Sequence, residues 1–155
     1  MKKIISAALS ALALSGFAGS AYAQTQPQPV MQIVVFRAEW CGPCKILEPS
    51  LDRALKSLND SSLQTVMIDT TNATSSEAAA YTAFNADIVK QYNQWLGLTG
   101  FAVMIDADTK NTLGCVNMTY SPDMMATHIA NLKGLALSNT PNFDITCPAP
   151  QRAAR

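Results

Sequence analysis

The chain holds a single histidine, His128, no proline between Pro49 and Pro122, and no block of like charge. One histidine leaves no ready nucleophile–base pair and too few imidazoles for a zinc site built on them. Without a basic face, nucleic-acid binding is not expected, and without a Lys/Arg cluster neither is a polybasic membrane tether. Internal repeats are absent, and the only compositionally biased tract is a short Gln/Pro leader at 24–29. A single long apolar run exists, Ile4–Phe17, and no later stretch reads as a membrane span.

That run has the flanks of a secretory signal peptide covering 1–23. Lys2 and Lys3 form its positive start, and Ala21-Tyr22-Ala23 is an A-x-A cleavage site. The polar Gln24-Thr25-Gln26-Pro27 follows at once, which makes a retained anchor the weaker reading. Removal leaves about 130 residues, one ordinary domain with slightly more acid than base. We expect a leader at 24–30, a folded domain at 31–137 and a tail at 138–155. The destination is outside the cytoplasm, the periplasm in a Gram-negative host, with no membrane contact after cleavage.

All four cysteines lie beyond the signal: Cys41, Cys44, Cys115 and Cys147. An even count in an exported chain permits disulfides, and four cysteines allow three pairings. The spacing is uneven. Two sit three apart and two are isolated, which suggests one working pair and two cysteines with another task.

Met31–Arg37 is a near-continuous apolar run with β-branched residues, a strand buried on both faces. It stops at Ala38-Glu39-Trp40-Cys41-Gly42-Pro43-Cys44, after which Leu47, Leu51, Leu55 and Leu58 predict a helix to about Asn59, kinked at Pro49. Leu63–Asp69 is a second strand. Thr74 to about Trp95 reads as one or two helices capped by Ser75 or Ser76. Phe101–Asp106 and Thr112–Met118 form a hairpin across a polar turn. Ser121-Pro122-Asp123 opens a last helix running to about Leu137. The order β-α-β-α-β-β-α gives an α/β domain, a mixed four-stranded sheet with helices on both faces.

The eight residues Ala38-Glu39-Trp40-Cys41-Gly42-Pro43-Cys44-Lys45 resemble the thioredoxin active site, and Pro49 matches the helix proline of that family. The resemblance covers about Met31 to Leu137. There is no room for the family's first β-α unit, and extra helical sequence sits around 74–95. It implies a thioredoxin-like fold and a thiol–disulfide oxidoreductase that reduces or exchanges protein disulfides. Cys41 is then the nucleophile and Cys44 the resolving thiol, supported by Trp40, Gly42 and Pro43. Gly-Pro between the cysteines resembles the more reducing members. Disulfide-bearing proteins and a redox recycling partner are the implied partners, with no cofactor and no metal. The physics agrees. A thiolate attacks a disulfide, and the positive end of a helix favours the thiolate of a cysteine that caps it.

Several family positions are altered. The buried acid of the first strand corresponds to Val35, its companion lysine to Thr65, and the aromatic residue two places after the acid to Arg37. Arg37 is either a cation near the thiols or a solvent-facing strand end. The family's cis-proline is missing. Counting back from the Asp106 turn puts Gly100, preceded by Thr99, in its place and in the substrate groove; counting from Gly97 puts Ala102 there. A trans bond is expected, since a non-proline cis bond costs ~3 kcal/mol.

Cys115 is expected to bond Cys147, closing a loop of about 31 residues worth ~3–4 kcal/mol in the chain-entropy model. The alternative is two free thiols. Trp40 is either an apolar wall for a docked partner or ordinary packing. Two other functions stay open: a copper(I)-binding module using Cys41, Cys44 and a methionine among Met104, Met118, Met124 and Met125, and a redox-inactive binding domain. Against copper, Met124, Met125, His128 and Leu132 share helical spacing, as the inward face of the last helix would.

Overall fold

Strand β1 (Met31–Arg37) forms where six consecutive residues are buried, and such a strand needs cover on both faces and partners on both edges. It has them. β2 (Leu63–Asp69) pairs with it in parallel, β3 (Phe101–Asp106) antiparallel, and β4 (Thr112–Asn117) lies antiparallel to β3, giving the order β2-β1-β3-β4. The structure, a computed structural model, describes residues 28–138 and 146–150. The expected signal peptide, most of the expected leader and much of the expected tail lie outside the described residues.

Alternate residues of the sheet feed two cores. Ile33, Val35, Ala102 and Met104 face helices α1 (Cys44–Leu58) and α4 (Pro122–Ser138). Val34, Phe36, Phe101 and Val103 face α2 (Ala73–Asn85) and α3 (Val89–Gln94). Each fully buried Leu, Ile or Val contributes about 1.5–3 kcal/mol. The β3–β4 ladder is offset between Met104 and Ile105: Met104 pairs with Gly114 and Ile105 with Thr112. Leu113 is the extra residue, a bulge that places both Leu113 and Val116 in the α1/α4 core while Cys115 faces the other way.

Local chemistry sets the helix ends. α1 runs on through Pro49 and closes at Asn59, which takes the left-handed conformation and donates its N–H to Leu55 O. α2 starts earlier than Ser75 or Ser76. Asn72 is its cap, accepting from the Ser75 N–H at 3.0 Å while Ser75 Oγ accepts the Asn72 N–H at 2.9 Å. Ser75 is thus the third residue of a capping box. Two helices fill 73–94, divided at Asp87, whose φ is +55°. At α4, Ser121 Oγ accepts the Met124 N–H at 3.3 Å, and Pro122 and Asp123 occupy the first turn. Its inward face is Met125, Ile129, Leu132 and Ala136. This corrects the sequence expectation: Met124 is 57% exposed, and His128 is half-buried against the Tyr120 ring. Spacings of three and four fit two overlapping stripes, and the one carrying Ile129 buries more apolar surface.

The described part of the tail docks on β4. Cys147 is bonded to Cys115, and Thr146 Oγ1 both accepts from the Cys115 N–H (3.1 Å) and donates to the Cys115 carbonyl (2.9 Å). One side chain thereby satisfies both backbone groups that an edge strand leaves open.

Candidate active site

β1 ends at Arg37, and its direction carries the chain into the turn that holds Cys41 and Cys44. The two are bonded, with Cα atoms 5.3 Å apart. The helix opens two residues later than a cap at Cys41 would give: Pro43 precedes it in helical conformation, and Cys44 is its first residue. Cys41 therefore stands just before the helix, where its Sγ accepts the Cys44 N–H at 3.1 Å. That N–H has no partner within the helix, and together with the dipole it favours a thiolate on Cys41. The Cys41 backbone is fixed by its N–H donating to Ala38 O at 3.1 Å. Both cysteines are almost wholly buried, while Gly42 and Pro43 between them are exposed.

Gly100 faces this pair. A Cβ added there would stand 2.9 Å from Pro43 Cβ and 3.5 Å from Cys41 Sγ, and φ is +92°, so only glycine fits. Its N–H donates to Phe36 O at 2.8 Å. Thr99 beside it is half-buried. Ala102 lies further along β3, in register with Val35, so of the two countings the one ending on Gly100 describes the loop against the dithiol. No cis peptide occurs among the described residues.

Trp40 is 63% exposed, and its Nε1–H donates to Thr71 O at 3.1 Å. The neighbouring Glu39 N–H donates to Thr71 Oγ1 at 2.9 Å. Thr71 in turn is held by Asp69, so the loop after β2 sets the pose of the tryptophan. Nothing in the local motif announces Thr71; the signal is tertiary. Arg37 turns out to be neither a bare strand end nor a cation offered to the thiols. It pairs with Glu48 on α1 at 2.9 Å and with Asp69 of β2. The hydrogen bond that Arg37 donates to the Glu48 carboxylate is the main cause raising its pKa. Burial pushes the Asp69 carboxyl up, but the hydrogen bonds from Thr71 and the charge of Arg37 outweigh it and hold the group low.

Val35 is buried in the α1/α4 core, and Thr65 is exposed on β2. Cys44 Sγ lies 4.0 Å from the Phe36 carbonyl. That carbonyl escaped the sequence reading because a backbone atom has no residue-type signature. Met104 and Met125 are core residues, and Met118 and Met124 are exposed. Among the described residues no three His, Cys, Asp or Glu side chains are grouped to hold a metal, and no helix is long and apolar enough to cross a membrane.

A vicinal cysteine pair at a strand–helix junction of this sheet defines the class of thiol–disulfide oxidoreductases. A family model described as Thioredoxin matches residues 20–95. The chain thus carries a thioredoxin-like domain. A solved structure of a thiol:disulfide interchange protein, a thioredoxin family protein from Chlorobium tepidum TLS, is similar at 20% identity, covering 67% of this chain and 80% of that one with a TM-score of 0.46. No curated protein matches the sequence.

Proposed function

We propose that this protein reduces or exchanges disulfides of other proteins, outside the cytoplasm, with Cys41 as nucleophile and Cys44 as resolving thiol. The observation that carries the reading is the Cys44 N–H aimed at Cys41 Sγ at the head of α1. The Cys41 thiolate attacks one sulfur of a substrate disulfide; the other sulfur leaves as a thiolate and takes a proton. Cys44 then loses its proton and attacks Cys41 Sγ, closing the Cys41–Cys44 bond and expelling the second substrate thiolate. Two electrons pass from the dithiol to the substrate, and an external dithiol restores the starting state. Trp40 serves as the apolar wall for the docked partner, an exposed ring held in one pose by Thr71.

Export is supported by the signal-like start of the sequence and by the Cys115–Cys147 disulfide, a bond of the kind that persists in an oxidising compartment. Trapping tests the activity. Cys44→Ala leaves Cys41 unable to release what it captures, so mixed disulfides accumulate on Cys41 and vanish in Cys41→Ser. Absence of any trapped species, with a reactive Cys41, would overturn the proposal.

A further inference from the structure

Three buried rings share one core cluster with Cys115. Phe36 and Phe101 stack with centroids 5.0 Å apart, and the Trp95 indole stands edge-on to them at 6.1 and 5.8 Å. The indole has one polar atom, Nε1, and its hydrogen goes to the Pro148 carbonyl at 2.9 Å. Pro148 follows Cys147, which is bonded to Cys115, and Thr146 on the other side grips the Cys115 backbone. Three successive tail residues are thus anchored, and the last of them holds Trp95.

The backbones of the same rings reach the dithiol. The Phe36 carbonyl accepts the Gly100 N–H at 2.8 Å, and Gly100 leads directly into Phe101. That carbonyl also lies 4.0 Å from Cys44 Sγ. While Cys44 is bonded to Cys41 its sulfur carries no hydrogen. When an external dithiol supplies two electrons and two protons, the Cys41–Cys44 bond breaks and Cys44 gains an S–H, a weak donor. Val35, next to Phe36, is aliphatic and offers that S–H no acceptor. The Phe36 carbonyl does. An acceptor held in place stabilises only the state that has the donor, and so shifts the balance toward it.

We propose that the Cys115–Cys147 disulfide tunes the Cys41–Cys44 pair: through the Pro148–Trp95 contact and the ring stack it fixes the Phe36 carbonyl as acceptor for the Cys44 thiol, favouring the dithiol form. The inference rests on reading Cys41 and Cys44 as a cycling pair. Trp95 is a positioning residue in it, acting through the Phe36 and Phe101 rings. Cys115 is buried and Cys147 half-buried, so an attacking thiolate reaches Cys147. A dithiol that opens this bond is itself oxidised to a disulfide, while Cys115 and Cys147 become thiols and the tail loses its covalent anchor. The same chain then holds a more reducing active pair.

The test equilibrates the full chain with glutathione buffers and reads the Cys41–Cys44 state by alkylation and peptide mass, which separates it from the second pair. Two variants are compared with the wild type: Trp95→Phe, which keeps a ring but loses the donor, and the double variant Cys115→Ser/Cys147→Ser. Each is expected to shift the equilibrium toward the Cys41–Cys44 disulfide by about threefold, with the far-ultraviolet circular dichroism unchanged. Trp95→Phe leaves both disulfides in place, so it carries the test even where the double variant does not fold. An unshifted constant in folded Trp95→Phe, or a shift toward the dithiol, overturns the inference. A wild-type pair that never cycles ends the proposed function as well; a cycling wild type with unshifted variants ends this inference alone.

Discussion

Adding one methyl group at Gly100 probes the geometry opposite the dithiol. In Gly100→Ala the new Cβ stands 2.9 Å from Pro43 Cβ, closer than carbon atoms tolerate, and the residue must keep a φ of +92°. The backbone conformation costs an L-residue ~1–2 kcal/mol. Forcing the proline ring aside within the short Cys41–Cys44 turn adds ~1–2 kcal/mol. The total of ~2–4 kcal/mol lowers the Tm of a domain this size by about 10–25 °C. Thermal unfolding of the oxidised protein, followed by circular dichroism, reads the sum. Repeating it in a Pro43→Gly background separates the parts, because there only the backbone cost remains. An alanine variant within ~0.5 kcal/mol of wild type refutes the reasoning, and equal costs in both backgrounds refute the steric half. Gly100→Pro should be worse still. Its ring demands φ near about −65° and removes the N–H that Phe36 accepts, so restoring the family's proline here destabilises this chain.

Three further outcomes are expected. Trp40→Ala, losing an exposed ring and one hydrogen bond, should change stability by less than ~1 kcal/mol, yet lower kcat/KM for a disulfide-bearing protein about tenfold and for a small disulfide less than about twofold; equal losses on both substrates would refute a docking role. Asp60 is held at about 2, chiefly by its hydrogen bond from Lys133 and then by those from Ser62. A depressed carboxyl stabilises the fold above its unfolded value of ~3.9 and loses that contribution as the pH falls toward about 2, so Asp60→Asn should cost about 1 kcal/mol at neutral pH and flatten the acid decline. An unaltered slope between pH 4 and 2 in urea melts would exclude it. Val35→Asp places a carboxyl in the α1/α4 core and should destabilise by ~2–3 kcal/mol at neutral pH. Burial raises its pKa, so the penalty grows as pH rises above ~4; a pH-independent difference would refute burial.

Much of this architecture is legible in the amino-acid order. The apolar run at Met31–Arg37, the leucines of α1 and the hairpin turn after Asp106 each impose one period, and the elements fall where that period is kept. Legibility fails where two residues compete for one task. Ser75 is as good a cap as Asn72 by type, and only their reciprocal bonds assign the roles. The break at Asp87 carries neither glycine nor proline, so its left-handed residue is hidden. At the dithiol, Cys41 and Cys44 are readable from their motif, and Gly100 only through the resemblance and one of two countings, whereas Thr71 under Trp40 and the Phe36 carbonyl under Cys44 are not readable. Both depend on which strands become neighbours.

The bulge at Leu113 has a consequence for quality control of the folding chain. Parity along β4 decides which layer receives each side chain, so a pairing error of one residue would send the Cys115 sulfur into the α1/α4 side of the sheet. Cys147 would then be stranded as an unmated thiol, free to cross-link to other chains in an oxidising milieu or to intrude on Cys41 and Cys44. One surplus residue in an edge strand thus guards the chain against scrambling its own sulfurs.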